Sequence, residues 1–151
     1  AWSEFRGEAG GEAGWCVTGA GDVNGDGVGD VSVCAPGLGE SVGGVYVVFG
    51  APVGAGGSSE LSGLTGSDGF RVLGIQGGDG AGLSVGGSGD IDSDGFDDVV
   101  IGAPLFEGLR GEVYIVFGRS RAYDVGGVDL SNIVWGRNGG EGLRIVGVYY
   151  G

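Results

Sequence analysis

Asp22-Val23-Asn24-Gly25-Asp26-Gly27-Val28-Gly29-Asp30 decides the reading of this chain, because its pattern returns 68 positions on as Asp90-Ile91-Asp92-Ser93-Asp94-Gly95-Phe96-Asp97-Asp98. Both stretches put oxygen-bearing side chains at loop positions 1, 3, 5 and 9 and glycine at position 6. Alternate side chains of such a loop turn inward, the glycine permits a sharp bend, and the backbone carbonyl at position 7 can fill a further vertex. That is an oxygen cage for a hard cation, and Ca²⁺, which takes six to eight oxygens at about 2.3–2.6 Å, suits it. The candidate ligands are Asp22, Asn24, Asp26, Asp30 and the Val28 carbonyl for one ion, and Asp90, Asp92, Asp94, Asp98 and the Phe96 carbonyl for a second. The alternative for a single copy is a solvated Asn-Gly or Asp-Gly hairpin turn; recurrence in the same context further favours the ligand reading.

Neither loop is an EF-hand, which runs to a bidentate Glu at position 12 between helices. Here β-branched runs follow at once, Val31-Ser32-Val33 and Val99-Val100-Ile101, so each loop joins two strands. The repeat extends beyond the loops: Ala35-Pro36 returns as Ala103-Pro104, and Val45-Tyr46-Val47-Val48-Phe49-Gly50 as Val113-Tyr114-Ile115-Val116-Phe117-Gly118. Gly69-Phe70-Arg71-Val72-Leu73-Gly74 reappears as Gly142-Leu143-Arg144-Ile145-Val146-Gly147, and more faintly as Phe5-Arg6. Each unit is expected to hold four short strands, one before the loop (Trp15 to Thr18; Leu83 to Val85), one after it, one running to the Phe-Gly and one at the Phe-Arg or Leu-Arg segment. No helical period is visible.

These motifs together resemble the FG-GAP repeat family, the blades of the integrin α-chain propeller and its bacterial relatives. The resemblance rests on Gly102-Ala103-Pro104, Phe49-Gly50, Phe117-Gly118 and the two acidic loops, and covers residues 5–151. The first repeat departs from it with Cys34-Ala35-Pro36 in place of Gly-Ala-Pro, and with Gly29 where relatives often carry an acid. The resemblance implies an all-β fold of two four-stranded antiparallel propeller-type blades, with a calcium loop between first and second strands. The expected divisions are 1–8 as the outer strand of a preceding or neighbouring blade, 9–74 as one repeat and 75–151 as the next. Closed propellers need typically four to eight blades, so two blades make an incomplete propeller or an assembling array, whose partners are other copies of the chain or further FG-GAP repeats.

Composition narrows the function classes. The formal charge of −13 argues against nucleic acid and anionic membranes. No apolar run is long enough for a membrane span. Glycine supplies 41 of 151 residues with no collagen period, and His, Lys and Met are absent. That removes imidazole triads, the Walker lysine and Schiff-base chemistry, and the chain is expected not to be an enzyme. Cation loops of this kind are filled where Ca²⁺ is millimolar, which places the protein outside the cell or on its surface.

Cys16 and Cys34 flank the first loop at near-equal displacement on its two strands, so they can form a cross-strand disulfide; the alternative is a pair of buried thiols. The second repeat is four residues longer between Leu130 and Leu143 than the first between Leu61 and Phe70, and the extra loop contains Trp135, Arg137 and Asn138. These could contact a protein or glycan ligand, or Trp135 could pack on a neighbouring blade. Trp2, Trp15, Tyr149 and Tyr150 are expected to fill strand faces or terminal contacts. The functional expectation is an extracellular calcium-binding structural or adhesive module that assembles by blade stacking or strand exchange. The alternatives are a ligand-binding fragment of a larger integrin-like propeller and an accessory module of a secreted enzyme.

Overall fold

The computed structural model describes residues 4–51, 58–120, 127–133 and 142–147. The fold is all-β. Its strands are β1 (Glu4–Arg6), β2 (Val17–Gly21), β3 (Asp30–Ala35), β4 (Gly44–Val48), β5 (Ser58–Glu60), β6 (Gly69–Leu73), β7 (Ser84–Gly89), β8 (Asp98–Ala103), β9 (Glu112–Val116), β10 (Val128–Asp129) and β11 (Gly142–Val146). One antiparallel blade runs β2-β3-β4-β6 and the other β7-β8-β9-β11. The register repeats as the sequence does: Val33 faces Tyr46 in the first blade and Ile101 faces Tyr114 in the second. Each acidic loop lies in the β2–β3 or β7–β8 connection. The strands do not close into a barrel.

Several details depart from the four-strand pattern. The first sheet has five strands, because β10 adds parallel to β6 with Val128 opposite Val72. An outer strand presents an unpaired ladder that invites such addition, and two residues are too few to show a period. β1 pairs parallel with β5 in a separate two-stranded sheet. Its register is also not the one suggested by matching Phe5-Arg6 to Phe70-Arg71. Arg6 lies opposite Glu60 as Leu73 lies opposite Asp129, so Phe5 occupies the position of Val72. The strand β2 begins at Val17 rather than Trp15, since the Trp15 N–H closes a turn on the Glu12 carbonyl. Trp15 does not fill a strand face: it is 61 % exposed. Single turns at Leu38–Ser41, where Gly39, Glu40 and Ser41 take positive φ, and at Phe106–Leu109 follow the two Ala-Pro pairs; a single turn is too short to leave a helical period.

The two blades face each other across the main core. The first turns Val45, Val47, Phe70 and Val72 toward the second, which answers with Val99, Ile101, Tyr114 and Val116. Those four are the counterparts of Val31, Val33, Tyr46 and Val48 on the opposite face of the first blade. That opposite face carries a second cluster built on Ala35, Leu38, Tyr46, Val48, Leu61 and Leu64. Burying a valine or leucine side chain contributes about 1.5–3 kcal/mol, so the inter-blade layer is a main source of stability. The inner strands β2 and β7 come close only because residues there lack side chains. A Cβ on Gly87 would lie 2.1 Å from the Gly19 carbonyl oxygen. Tight blade corners and this close approach account for much of the glycine content.

Candidate metal centre

The acidic loops are held by the same hydrogen bonds in both blades. The Asp22 carboxylate accepts the N–H groups of Asp26 (3.0 Å) and Gly27 (2.9 Å), and Asp90 accepts those of Asp94 (2.9 Å) and Gly95 (2.8 Å). The residues at position 3, Asn24 and Asp92, accept the Asp26 and Asp94 N–H groups. At position 5, Asp26 and Asp94 accept from Val28 and Phe96. The position-9 carboxylates tie each loop to its blade: Asp30 accepts from Val23 and Gly50, and Asp98 from Ile91 and Gly118. Gly50 and Gly118 are the glycines of the two Phe-Gly pairs, so the second half of that motif anchors the loop.

One oxygen each from Asp90, Asp92 and Asp98 lies within 4.8 Å of the others. Such spacing matches oxygens on opposite or adjacent vertices around a Ca²⁺-sized cation. In the first loop Asn24 stands where Asp92 stands, so that site carries one charge fewer. Asp30 and Asp98 are buried. Burial pushes both carboxyls above the ordinary range, their backbone N–H partners pull the other way, and the neighbouring loop carboxylates add to the rise. A divalent cation among these carboxylates would relieve that desolvation and repulsion. The donor set therefore fits a hard, oxygen-preferring ion.

The two loops also touch each other. Asp97 accepts the Asp22 N–H through Oδ2 at 2.7 Å, and its own N–H donates to the Asp22 carbonyl at 3.1 Å. The Arg119 N–H donates to the Val23 carbonyl. The Phe96 ring packs on Gly25, where a Cβ would lie 2.3 Å from Cε1. Position 1 of the first loop is thus clasped by position 8 of the second. The spacing of ligand positions gives no reason to notice position 8, and the only signal is that Asp97 faces Gly29 across the repeat.

Cys16 and Cys34 form a disulfide, with Cα atoms 4.9 Å apart, across the start of the first loop's hairpin. Trp135, Arg137 and Asn138 fall in 134–141, outside the described residues. A second polar cluster had no motif to betray it. Glu112, wholly buried, accepts hydrogen bonds from the Arg144 guanidinium (Nε at 2.9 Å) and the Tyr114 hydroxyl. The guanidinium lies over Phe106, 5.3 Å from the ring centroid, and over Tyr114. The carboxylate holds the Arg144 proton more firmly, and burial first, then the carboxylate, pushes the Tyr114 hydroxyl well up. Glu112 replaces Gly44 of the first repeat, the one hint in the sequence.

Comparison with known proteins meets this geometry from outside. The FG-GAP repeat family matches residues 81–116, which run from the approach to β7 through the second acidic loop to the end of β9. Over 132 residues, 85 % of its length, the chain is 36 % identical to integrin alpha-4 of Xenopus laevis. Over 101 residues it is 35 % identical to integrin alpha-M of Mus musculus. The chain belongs to the FG-GAP repeat family. It spans about a tenth of those relatives, 12 % and 8 % of their lengths. The family match falls on the FG-GAP repeat that keeps Gly102-Ala103-Pro104 and an all-carboxylate loop, and leaves out the one with Cys34 and Asn24.

Proposed function

We propose that this chain is a calcium-binding pair of integrin-like propeller blades that serves a structural or adhesive role outside the cell or at its surface. One Ca²⁺ is held by Asp22, Asn24, Asp26, Asp30 and the Val28 carbonyl, and a second by Asp90, Asp92, Asp94, Asp98 and the Phe96 carbonyl. Residues 9–74 and 75–151 act as the two repeats, and 1–8 as the outer strand of a preceding blade. The observation that carries the reading is the shared hydrogen-bonded framework of the two loops, with three of the second loop's four carboxylates, Asp90, Asp92 and Asp98 but not Asp94, gathered within 4.8 Å. The likeness to integrin α chains and the Cys16–Cys34 disulfide support an oxidising, extracellular setting. The role is non-catalytic, and the partners are neighbouring blades, with protein or glycan ligands reached through loops.

Titration calorimetry tests this directly. Two Ca²⁺ per chain are expected, falling to one in Asp26→Ala and in Asp94→Ala while circular dichroism stays unchanged. Zero stoichiometry in the folded wild-type chain would overturn the calcium assignment.

A further inference from the structure

We propose that the two cation loops fill as one coupled unit, the second loop first, its ion raising the affinity of the first loop through Asp97 and Val23. This deepens the calcium reading and rests on it. The loops belong to adjoining blades, yet hydrogen bonds run unbroken from a proposed ligand of one to a proposed ligand of the other. The Asp98 carboxylate accepts the Gly118 N–H at 3.0 Å. The next residue, Arg119, donates its N–H to the Val23 carbonyl at 2.9 Å. The Val23 N–H in turn donates to Asp30 Oδ2 at 2.8 Å. Position 9 of the second loop is thereby tied to position 9 of the first. Asp98, Val23 and Asp30 are all buried, a setting that strengthens such bonds. The approach needs a glycine at the Phe-Gly step, since a Cβ on Gly118 would lie 2.8 Å from the Val23 carbonyl oxygen.

A second tie runs beside the first. Asp97 grips the Asp22 backbone from both sides, accepting its N–H at 2.7 Å and donating to its carbonyl at 3.1 Å. Asp97 stands between two proposed ligands of its own loop, the Phe96 carbonyl and the Asp98 carboxylate. An ion that fixes residues 96–98 therefore fixes Asp22 and Val23 as well. Those two organise the rest of the first loop. The Asp22 carboxylate holds the Asp26 and Gly27 N–H groups, and Val23 holds Asp30.

The order of filling follows from the donor sets. The second loop has four carboxylates, three of them gathered within 4.8 Å, whereas the first has three and Asn24. The more negative loop takes the first cation. Two positive charges leave its four ligand carboxylates net negative, so the filled loop does not repel a second ion outright. What it loses in attraction is screened by salt over a Debye length of about 8 Å at physiological ionic strength. Against this, the second ion meets a first loop whose backbone is already ordered, and ordering lost to one ligand is not lost again to the next. The coupling is therefore positive, and by linkage each ion strengthens the other by the same factor.

Calorimetric titration of the full chain with Ca²⁺, beside Asp26→Ala and Asp94→Ala, measures that factor. The product of the two wild-type affinities is expected to exceed the product of the two single-site affinities by on the order of tenfold. The excess should shrink when both comparisons are repeated with Asp97→Ala, and persist with Asp97→Asn, which keeps an acceptor for the Asp22 N–H. Amide hydrogen exchange followed by NMR gives a readout free of the substitution's own effect. In Asp26→Ala only the second loop can fill, so calcium should slow exchange of the Val23 N–H in the unfilled first loop, compared with the same variant in chelator. If Asp94→Ala does not fold, this measurement decides. Two ions bound with no excess, or a Val23 amide indifferent to calcium in Asp26→Ala, would overturn the coupling and leave the calcium reading intact. No calcium bound to the folded wild-type chain would overturn both.

Discussion

The Glu112 carboxylate lies wholly out of water, and Arg144 and Tyr114 are what make that tolerable. Removing one partner of a buried pair leaves an uncompensated charge, which typically costs about 3–5 kcal/mol. Arg144 remains a quarter exposed, so Arg144→Ala should fall near the low end, about 3 kcal/mol by urea denaturation. Replacing both members together, Glu112→Leu with Arg144→Met, should be nearly neutral. Tyr46, the counterpart of Tyr114, faces Gly44 instead of a glutamate. Its hydroxyl is buried, and the acid that acts on it is Glu8. Burial first, and then the Glu8 charge, push it up to about 12. A tyrosine raised in the folded state stabilises the fold fully below the unfolded value near 10, and that contribution is lost as pH rises from about 10 through 12. Melting measured across that window should fall more steeply in wild type than in Tyr46→Phe, and the two should melt alike at pH 7.

The loop clasp belongs to the scale of elements. Asp97 is not among the proposed ligands, yet it fixes the backbone of Asp22, the first proposed ligand of the other loop. Asp97→Ala is therefore expected to weaken calcium binding at the first loop as well as loosening the second, seen in calorimetry as a loss of affinity at both sites with the stoichiometry retained. If the first site keeps its affinity, the clasp plays no part in organising it. What the sequence made legible at this scale follows from repetition. The four main blade strands and the acidic loop each appear twice, and each copy corrects the reading of the other. The elements it hid are strands of three and two residues: β5 forms by pairing with β1, which the Phe5-Arg6 signal did announce though in another register, and β10 by adding to the open ladder of β6, neither from a pattern of its own. Asp97 and Glu112 were hidden for the opposite reason. Each breaks the repeat, Asp97 against Gly29 and Glu112 against Gly44, and a break shows its purpose only when the neighbouring blade is in place.

At the scale of the whole molecule, charge decides the balance. A formal −13 on 151 residues sets the compact state against its own repulsion, and seven carboxylates at the proposed ligand positions concentrate that repulsion in two adjoining loops. Two Ca²⁺ would cancel four of those charges where they are densest. With each site at 100 times its dissociation constant, binding adds about 2.7 kcal/mol per ion. For a chain of this length that raises the melting temperature by on the order of 10 °C for two sites. Chelator should reverse the shift. Raising the ionic strength in chelator should restore only part of it, because salt screens the exposed charges but supplies no ligand to the buried Asp30 and Asp98. Magnesium at equal concentration should restore less than calcium, since it demands near-ideal octahedral geometry at about 2.0–2.1 Å and gives up water reluctantly. Scanning calorimetry of one preparation in chelator, in chelator with added sodium chloride, and with each divalent ion separates these contributions. An equal rise with salt alone would mean that bulk repulsion, and not a coordinated ion, governs the stability of the blades.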